Sequence, residues 1–175
     1  MLAQGAGAPR VIALAGLPGA GKSTLAKGLQ RRLSLSLVSR DDIRAAMFQP
    51  CSFTTEEKEA AFCSLLSAVE TNLCAGRSCI VDGVAFSRVT DRERLATVVL
   101  GRGCAIDFVL LSLPVDVAQR RVEIDRPTNL IADRTAQLVA EVARRFDPFV
   151  GAVLEVDAQL PPAALVDEVI RLLAP

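Results

Sequence analysis

Gly16-Leu17-Pro18-Gly19-Ala20-Gly21-Lys22-Ser23-Thr24 follows the apolar stretch Val11 to Ala15 and runs into Leu25, Ala26, Leu29 and Leu33, which recur at helical spacing. Two glycines five apart, then Lys and Ser, between a strand and a helix, have the pattern of a phosphate-binding loop. The physics is anion capture. Gly16, Gly19 and Gly21 allow backbone dihedrals closed to other residues, so that successive N–H groups converge on a phosphate at the positive end of the following helix. Lys22 adds a mobile charge over the β and γ oxygens, and the Ser23 hydroxyl suits a Mg²⁺ position. Lys22 stands out in a chain whose only other lysines are Lys27 and Lys58. The plain alternative is a glycine-rich turn that binds nothing, and the flanking strand and helix argue against it.

Length and composition fit one domain over residues 1–175. The chain is 51% hydrophobic, enough to bury a full core, and residues 1–9, rich in Gly and Ala, are expected to be flexible. Twenty Lys and Arg balance 20 Asp and Glu, so the total carries no electrostatic footprint for long nucleic acid, although a local basic groove stays open. The start has no basic flank or apolar core of a secretion signal, and no apolar run reaches bilayer length, so a cytoplasmic protein without membrane contact is expected. Cys51, Cys63, Cys74, Cys79 and Cys104 are odd in number and lack C-x-x-C spacing, which reads as buried reduced thiols rather than a disulfide framework or zinc site.

Strand and helix signals alternate along the chain. After the first strand–loop–helix unit come a short strand at Leu35 to Ser39 and a short helix at Asp41 to Phe48, broken by Gln49-Pro50-Cys51-Ser52. A long helix begins at Thr54, where Thr54 and Glu57 have capping-box spacing, carries Phe62, Leu65, Leu66, Val69 and Leu73 on one face, and stops at Gly76. A strand at Ser78 to Asp82, a helix at Thr90 to Gly101 and a strand at Ala105 to Ser112 follow, then a helix entered at Pro114. Arg126-Pro127-Thr128-Asn129 interrupts, Asp133 to Phe146 is helical, Val153 to Asp157 is the last strand and Pro161 to Leu173 the last helix. Apolar strands spaced by helices imply an α/β fold, a parallel sheet with helices on both faces in three layers. Ligands of such sheets bind at the carboxyl ends of the strands, and each polar cluster here follows a strand.

Three clusters join the loop. Ser39-Arg40-Asp41-Asp42-Ile43-Arg44 places two carboxylates beside arginines at a helix start, which the helix dipole alone would favour. The chain has no His, so a reaction that removes a proton from an alcohol has a carboxylate as its available base. Ile80-Val81-Asp82-Gly83 ends an apolar strand in Asp, the pattern of a Walker B carboxylate that holds Mg²⁺ through water. Arg120, Arg121 and Arg126 gather near the interruption, either as cations at a helix end or as part of a small lid over residues 120–133. Arg88, Arg92 and Arg94 read as helix-surface residues.

These pieces together resemble a P-loop kinase of the group containing polynucleotide 5′-hydroxyl kinases, zeta-toxin-like kinases and chloramphenicol phosphotransferases. The likeness is carried by GLPGAGKSTLAKGL, SRDDIRAAM, VDGVAFSRVTDRERL, QRRVEIDR and the RRFDPF stretch leading to VLEVD. It implies a P-loop NTPase fold whose five-stranded sheet has the first strand central, and ATP- and Mg²⁺-dependent transfer of a phosphoryl group to a hydroxyl. By similarity, Asp41 is the base and Arg44 contacts the acceptor. Arg121 and Arg126 are the lid arginines, with Arg120 a substitute because the spacing is one residue longer than the common four. A small hydroxylated metabolite or antibiotic is the expected acceptor, since the chain has no Trp or Tyr to stack bases. A nucleic-acid 5′-hydroxyl, with Phe48, Phe53 and Phe86 as stacking rings, is the alternative, and an ATP-hydrolysing switch without an alcohol acceptor is a third.

Overall fold

The computed structural model describes residues 8–125 and 134–174. Five strands, β1 (Arg10–Gly16), β2 (Ser36–Ser39), β3 (Cys79–Asp82), β4 (Ala105–Ser112) and β5 (Leu154–Asp157), form one parallel sheet in the order β2-β3-β1-β4-β5. β1 is central, with Val11 opposite Cys79 on one side and Ile106 on the other. The helices are α1 (Lys22–Leu33), α2 (Arg40–Met47), α3 (Thr55–Cys74), α4 (Val89–Leu100), α5 (Val115–Asp125), α6 (Ala136–Arg144) and α7 (Pro162–Leu173).

The period-2 alternation of β1 splits the core in two. Ile12 and Leu14 point into a layer with Leu25 and Leu29 of α1, Ala118 of α5, Val139 of α6 and Val169 of α7. Val11, Ala13 and Ala15 face the opposite layer, with Phe62, Leu65 and Val69 of α3 and Leu95 and Val99 of α4. The two layers on either side of one sheet are the expected three-layer α/β arrangement. Of the face expected for α3, Phe62, Leu65, Val69 and Leu73 are buried and Leu66 packs half-buried beside them. Thr54 caps α3 by accepting from the Glu57 backbone N–H at 3.2 Å, while the Glu57 carboxylate reaches past it to the N–H groups of Ser52 and Phe53.

Two expectations are corrected. The five cysteines are all free, but only Cys79 and Cys104 are buried; Cys51 is half-buried and Cys63 and Cys74 are exposed, because the latter pair lies on the solvent side of α3. Burial pushes the Cys79 thiol up to about 12. Arg92 is not a surface residue. It is 6% exposed, lies 4.1 Å over the Phe149 ring and donates to the Asp147 carbonyl at 3.0 Å. Arg94 does stay on the surface, paired bidentately with Glu59. Residues 1–7, Arg126 and the part of the expected lid at 126–133 lie outside the described residues. Among the described residues, no helix is long and apolar enough to cross a membrane.

Candidate active site

Every polar cluster singled out in the sequence, where described, borders one cleft of about 670 Å³ at the carboxyl edge of the sheet. The β1–α1 loop forms its floor. Gly16, Gly19 and Gly21 have φ of +139°, +83° and +89°, and α1 begins with no side chain capping its first N–H groups. Gly16 and Gly19 are also forced by proximity: a Cβ would lie 2.8 Å from the Leu111 carbonyl oxygen at Gly16 and 2.7 Å from that of Ala118 at Gly19. Gly16 N–H donates to the Ala85 carbonyl, which ties the loop to the segment after β3.

Lys22 folds back over this loop, its Nζ donating to the Gly16 and Leu17 carbonyls, both at 2.8 Å. Burial lowers its pKa to about 8; the Asp82 charge works against that shift, and Arg134 adds to it. The ammonium is thus a poorly solvated cation held by two backbone carbonyls.

Asp82 ends β3 opposite Ser39 of β2, a register that sets the start of α2 beside it. Asp82 is 4% exposed, and its Oδ1 is buried without a hydrogen-bond partner. An acceptor-only atom left unsatisfied in this way is costly unless a cation completes it. Ser23 lines the same cleft, so the donor set of a hydroxyl, a carboxylate and phosphate oxygens fits Mg²⁺.

Asp41 lies in the first turn of α2, which Ser39 caps by accepting from Asp42 N–H at 3.2 Å. The close approach of β3 to this turn requires Gly83, at φ +81°, where a Cβ would lie 2.9 Å from the Asp41 nitrogen. Three arginines surround the Asp41 carboxylate: Arg44 Nη2 donates to Oδ1 at 3.2 Å, Arg134 Nη2 to Oδ2 at 2.9 Å, and Arg40 Nη2 lies 3.9 Å from Oδ1. Arg44 is 3% exposed and stacks 4.6 Å from the Phe53 ring. It lines the cleft beside Asp41, with its guanidinium tied to that carboxylate. Of the three rings named for base stacking, Phe86 is fully buried against Phe108, while Phe48 and Phe53 are half-buried and Phe53 has Arg44 over one face.

Arg121 lines the cleft and donates to the Ala158 carbonyl after β5 at 3.0 Å. Arg120 points away, in an exposed pair with Asp116, so of the two it is Arg121 that lies at the cleft. Arg134 was not singled out in the sequence. It follows the interruption, belongs to no short motif, and its partner is 93 residues away. The one local signal is its place directly before Thr135, which caps α6.

A parallel sheet of this order with a glycine phosphate loop after its central strand defines a P-loop NTPase of the kinase fold. More particularly, the AAA domain family matches residues 11–149, and the chain belongs to that family. No curated protein sequence matches it. A solved protein of Chloroflexus aurantiacus j-10-fl, described as a kinase candidate, is similar at TM-score 0.76 and 25% identity over 96% of this chain and 100% of its own. A gluconokinase from Sinorhizobium meliloti 1021 is similar in fold at TM-score 0.67 and 19% identity, over 94% of this chain and 91% of its own. The Mycobacterium tuberculosis APS kinase CysC, solved with AMPPNP and APS, is similar in fold at TM-score 0.70 and 17% identity, over 96% and 99%.

Proposed function

We propose that this chain is an ATP-dependent kinase that phosphorylates a hydroxyl of a small-molecule acceptor. The observation that carries the reading is the convergence of Lys22, the buried unpaired Asp82 oxygen and the arginine-held Asp41 on one cleft. The loop amides of residues 16–24 and Lys22 bind the phosphates, and Ser23 and, through water, Asp82 would hold Mg²⁺, which when bound neutralises charge on the phosphate oxygens. Asp41 orients the acceptor alcohol and takes its proton. The acceptor oxygen then bonds to the γ-phosphorus as the bond to the β–γ bridging oxygen breaks, and that electron pair leaves with ADP. Arg44, which lines the cleft and donates to Asp41, contacts the acceptor, and Arg121 and Arg126 are the proposed lid arginines.

Kinase relatives in fold, among them the gluconokinase and the APS kinase, support a small acceptor over a polynucleotide end. The experiment is incubation with γ-labelled ATP, Mg²⁺ and a panel of sugars, sugar acids, nucleosides, aminoglycosides and 5′-hydroxyl oligonucleotides. Label appearing in a small alcohol, and not when Asp41 is replaced by Asn, is the expected result. Label found only in inorganic phosphate would favour the hydrolytic switch, and label confined to oligonucleotides the polynucleotide reading.

A further inference from the structure

Both oxygens of Asp41 are taken, and by arginines of different standing. Arg44 is three residues along the same helix, almost wholly buried and stacked on Phe53, so it is built into the wall. Arg134 comes from the opposite wall of the cleft, ahead of α6, with a side chain that keeps 28% of its surface exposed. Its guanidinium closes Oδ2, the oxygen that Arg44 leaves available to an alcohol. Arg134 lines the same cleft as Lys22 and the β1–α1 loop. It stands, then, where the phosphate loop meets the acceptor carboxylate, the place through which a phosphoryl group must travel. A triphosphate terminus offers a planar guanidinium more charge and more oxygens than one carboxylate oxygen does.

We propose that Arg134 is an exchange latch: in the nucleotide-free protein it covers the acceptor-facing oxygen of Asp41, and the γ-phosphoryl group of a bound triphosphate draws it away, exposing that oxygen to the alcohol. The inference rests on the kinase reading and goes beyond it by making Arg134 a catalytic residue and ordering the reactants, donor before acceptor. A diphosphate lacks the group that Arg134 seeks and leaves the latch closed. The equilibrium shifts only by the difference in what the open and closed states offer the ligand, so the signature is discrimination between tri- and diphosphate.

The test is calorimetric affinity for Mg·AMPPNP and Mg·ADP in the wild type, Arg134→Gln, Asp41→Asn and the double variant, with melting curves verifying that each is folded. Arg134→Gln is expected to lose about tenfold or more in AMPPNP affinity, the scale of a charge-assisted contact, with ADP affinity unchanged. Asp41→Asn is expected to gain AMPPNP affinity because Arg134 no longer has a carboxylate to leave, and the gain vanishes in the double variant. Arg134→Lys, which keeps the charge without the fork, is expected to recover part of the loss and serves if the Gln variant is unstable. Equal weakening of both nucleotides, no weakening of either, or a gain in Asp41→Asn that survives loss of Arg134 overturns the latch. A wild type that binds neither nucleotide overturns the kinase reading itself, a different and separable outcome.

Discussion

Lys22 carries the clearest single-residue consequence. With its pKa lowered to about 8 by burial, it is largely deprotonated at pH 8.5 in the nucleotide-free protein. Phosphate oxygens favour the charged form, so nucleotide binding at that pH takes up at most about three-quarters of a proton. Calorimetry in buffers of differing ionisation enthalpy reads this directly, and Lys22→Met should abolish it. The sign for stability follows from the same shift. The unfolded chain holds the lysine proton up to about 10.5 and the folded one only to about 8, so the destabilisation is fully present below pH 8 and is relieved as pH rises between the two. Asp82 raises the Lys22 pKa while itself lacking a partner at Oδ1. Asp82→Asn removes a buried charge that only a cation satisfies, and the expected result is an unchanged or higher melting temperature together with about tenfold weaker Mg-dependent nucleotide affinity. A lowered melting temperature with intact Mg dependence would exclude Asp82 from the metal site. Both residues are legible in the sequence because each belongs to a short local pattern. Arg134 is not, since its role arises from a contact between distant segments. Arg92 had a local signal that the surface reading missed: with Leu95 and Val99 it falls at i, i+3 and i+7, the buried stripe of α4.

At the scale of elements, strand positions are legible to within a residue or so, because buried parallel strands are continuous apolar runs bounded by breakers. β4 is found at its full expected length, Ala105–Ser112, whereas α6 starts at Ala136 rather than near Asp133 because Thr135 takes the cap by accepting from Leu138 N–H at 3.1 Å. Patterns do not reveal how closely two helices approach. α1 passes α7 at Gly28, where a Cβ would lie 2.5 Å from Val166 Cγ2. An alanine in mid-helix ordinarily gains about 1 kcal/mol over glycine, but crowding in a packed core costs roughly 1–3 kcal/mol. Gly28→Ala is therefore expected to lower the melting temperature. Combined with Val166→Ala it should cost less than the two single changes added together, and strict additivity in thermal melts would disprove the contact.

The whole molecule is a cleft with two walls of different origin. One wall is α2, the start of α3 and the start of α4, and the other runs from α5 to α6 and the loop after β5. Their relative position is fixed behind the cleft by the segment following α6. Asp147 accepts from Val89 N–H at 2.9 Å, acting as a cap for α4 in place of the local Arg88, whose side chain makes no cap bond. The same residue donates its N–H to the Ser87 carbonyl at 2.8 Å and offers its carbonyl to Arg92. Phe149 completes the clamp under the Arg92 guanidinium and packs 5.7 Å from Phe108 of β4. Losing a capping carboxylate costs about 0.5–2 kcal/mol, which in a domain of this size moves the midpoint by roughly 1–8 °C. Asp147→Ala is expected to fall in that range, and Asp147→Asn, which keeps an accepting oxygen, near the wild type. The functional effect should be selective, because the clamp joins the segment after α6 to the start of α4, whose Arg88 and Asp91 line the cleft with Arg134, and makes no direct hydrogen bond to the β1–α1 loop. ADP affinity is expected to hold and AMPPNP affinity to fall as Arg134 loses its placement. Equal loss of both nucleotides in Asp147→Ala would mean that the clamp supports the phosphate loop instead, and an unaltered melting temperature would mean that α4 does not depend on it at all.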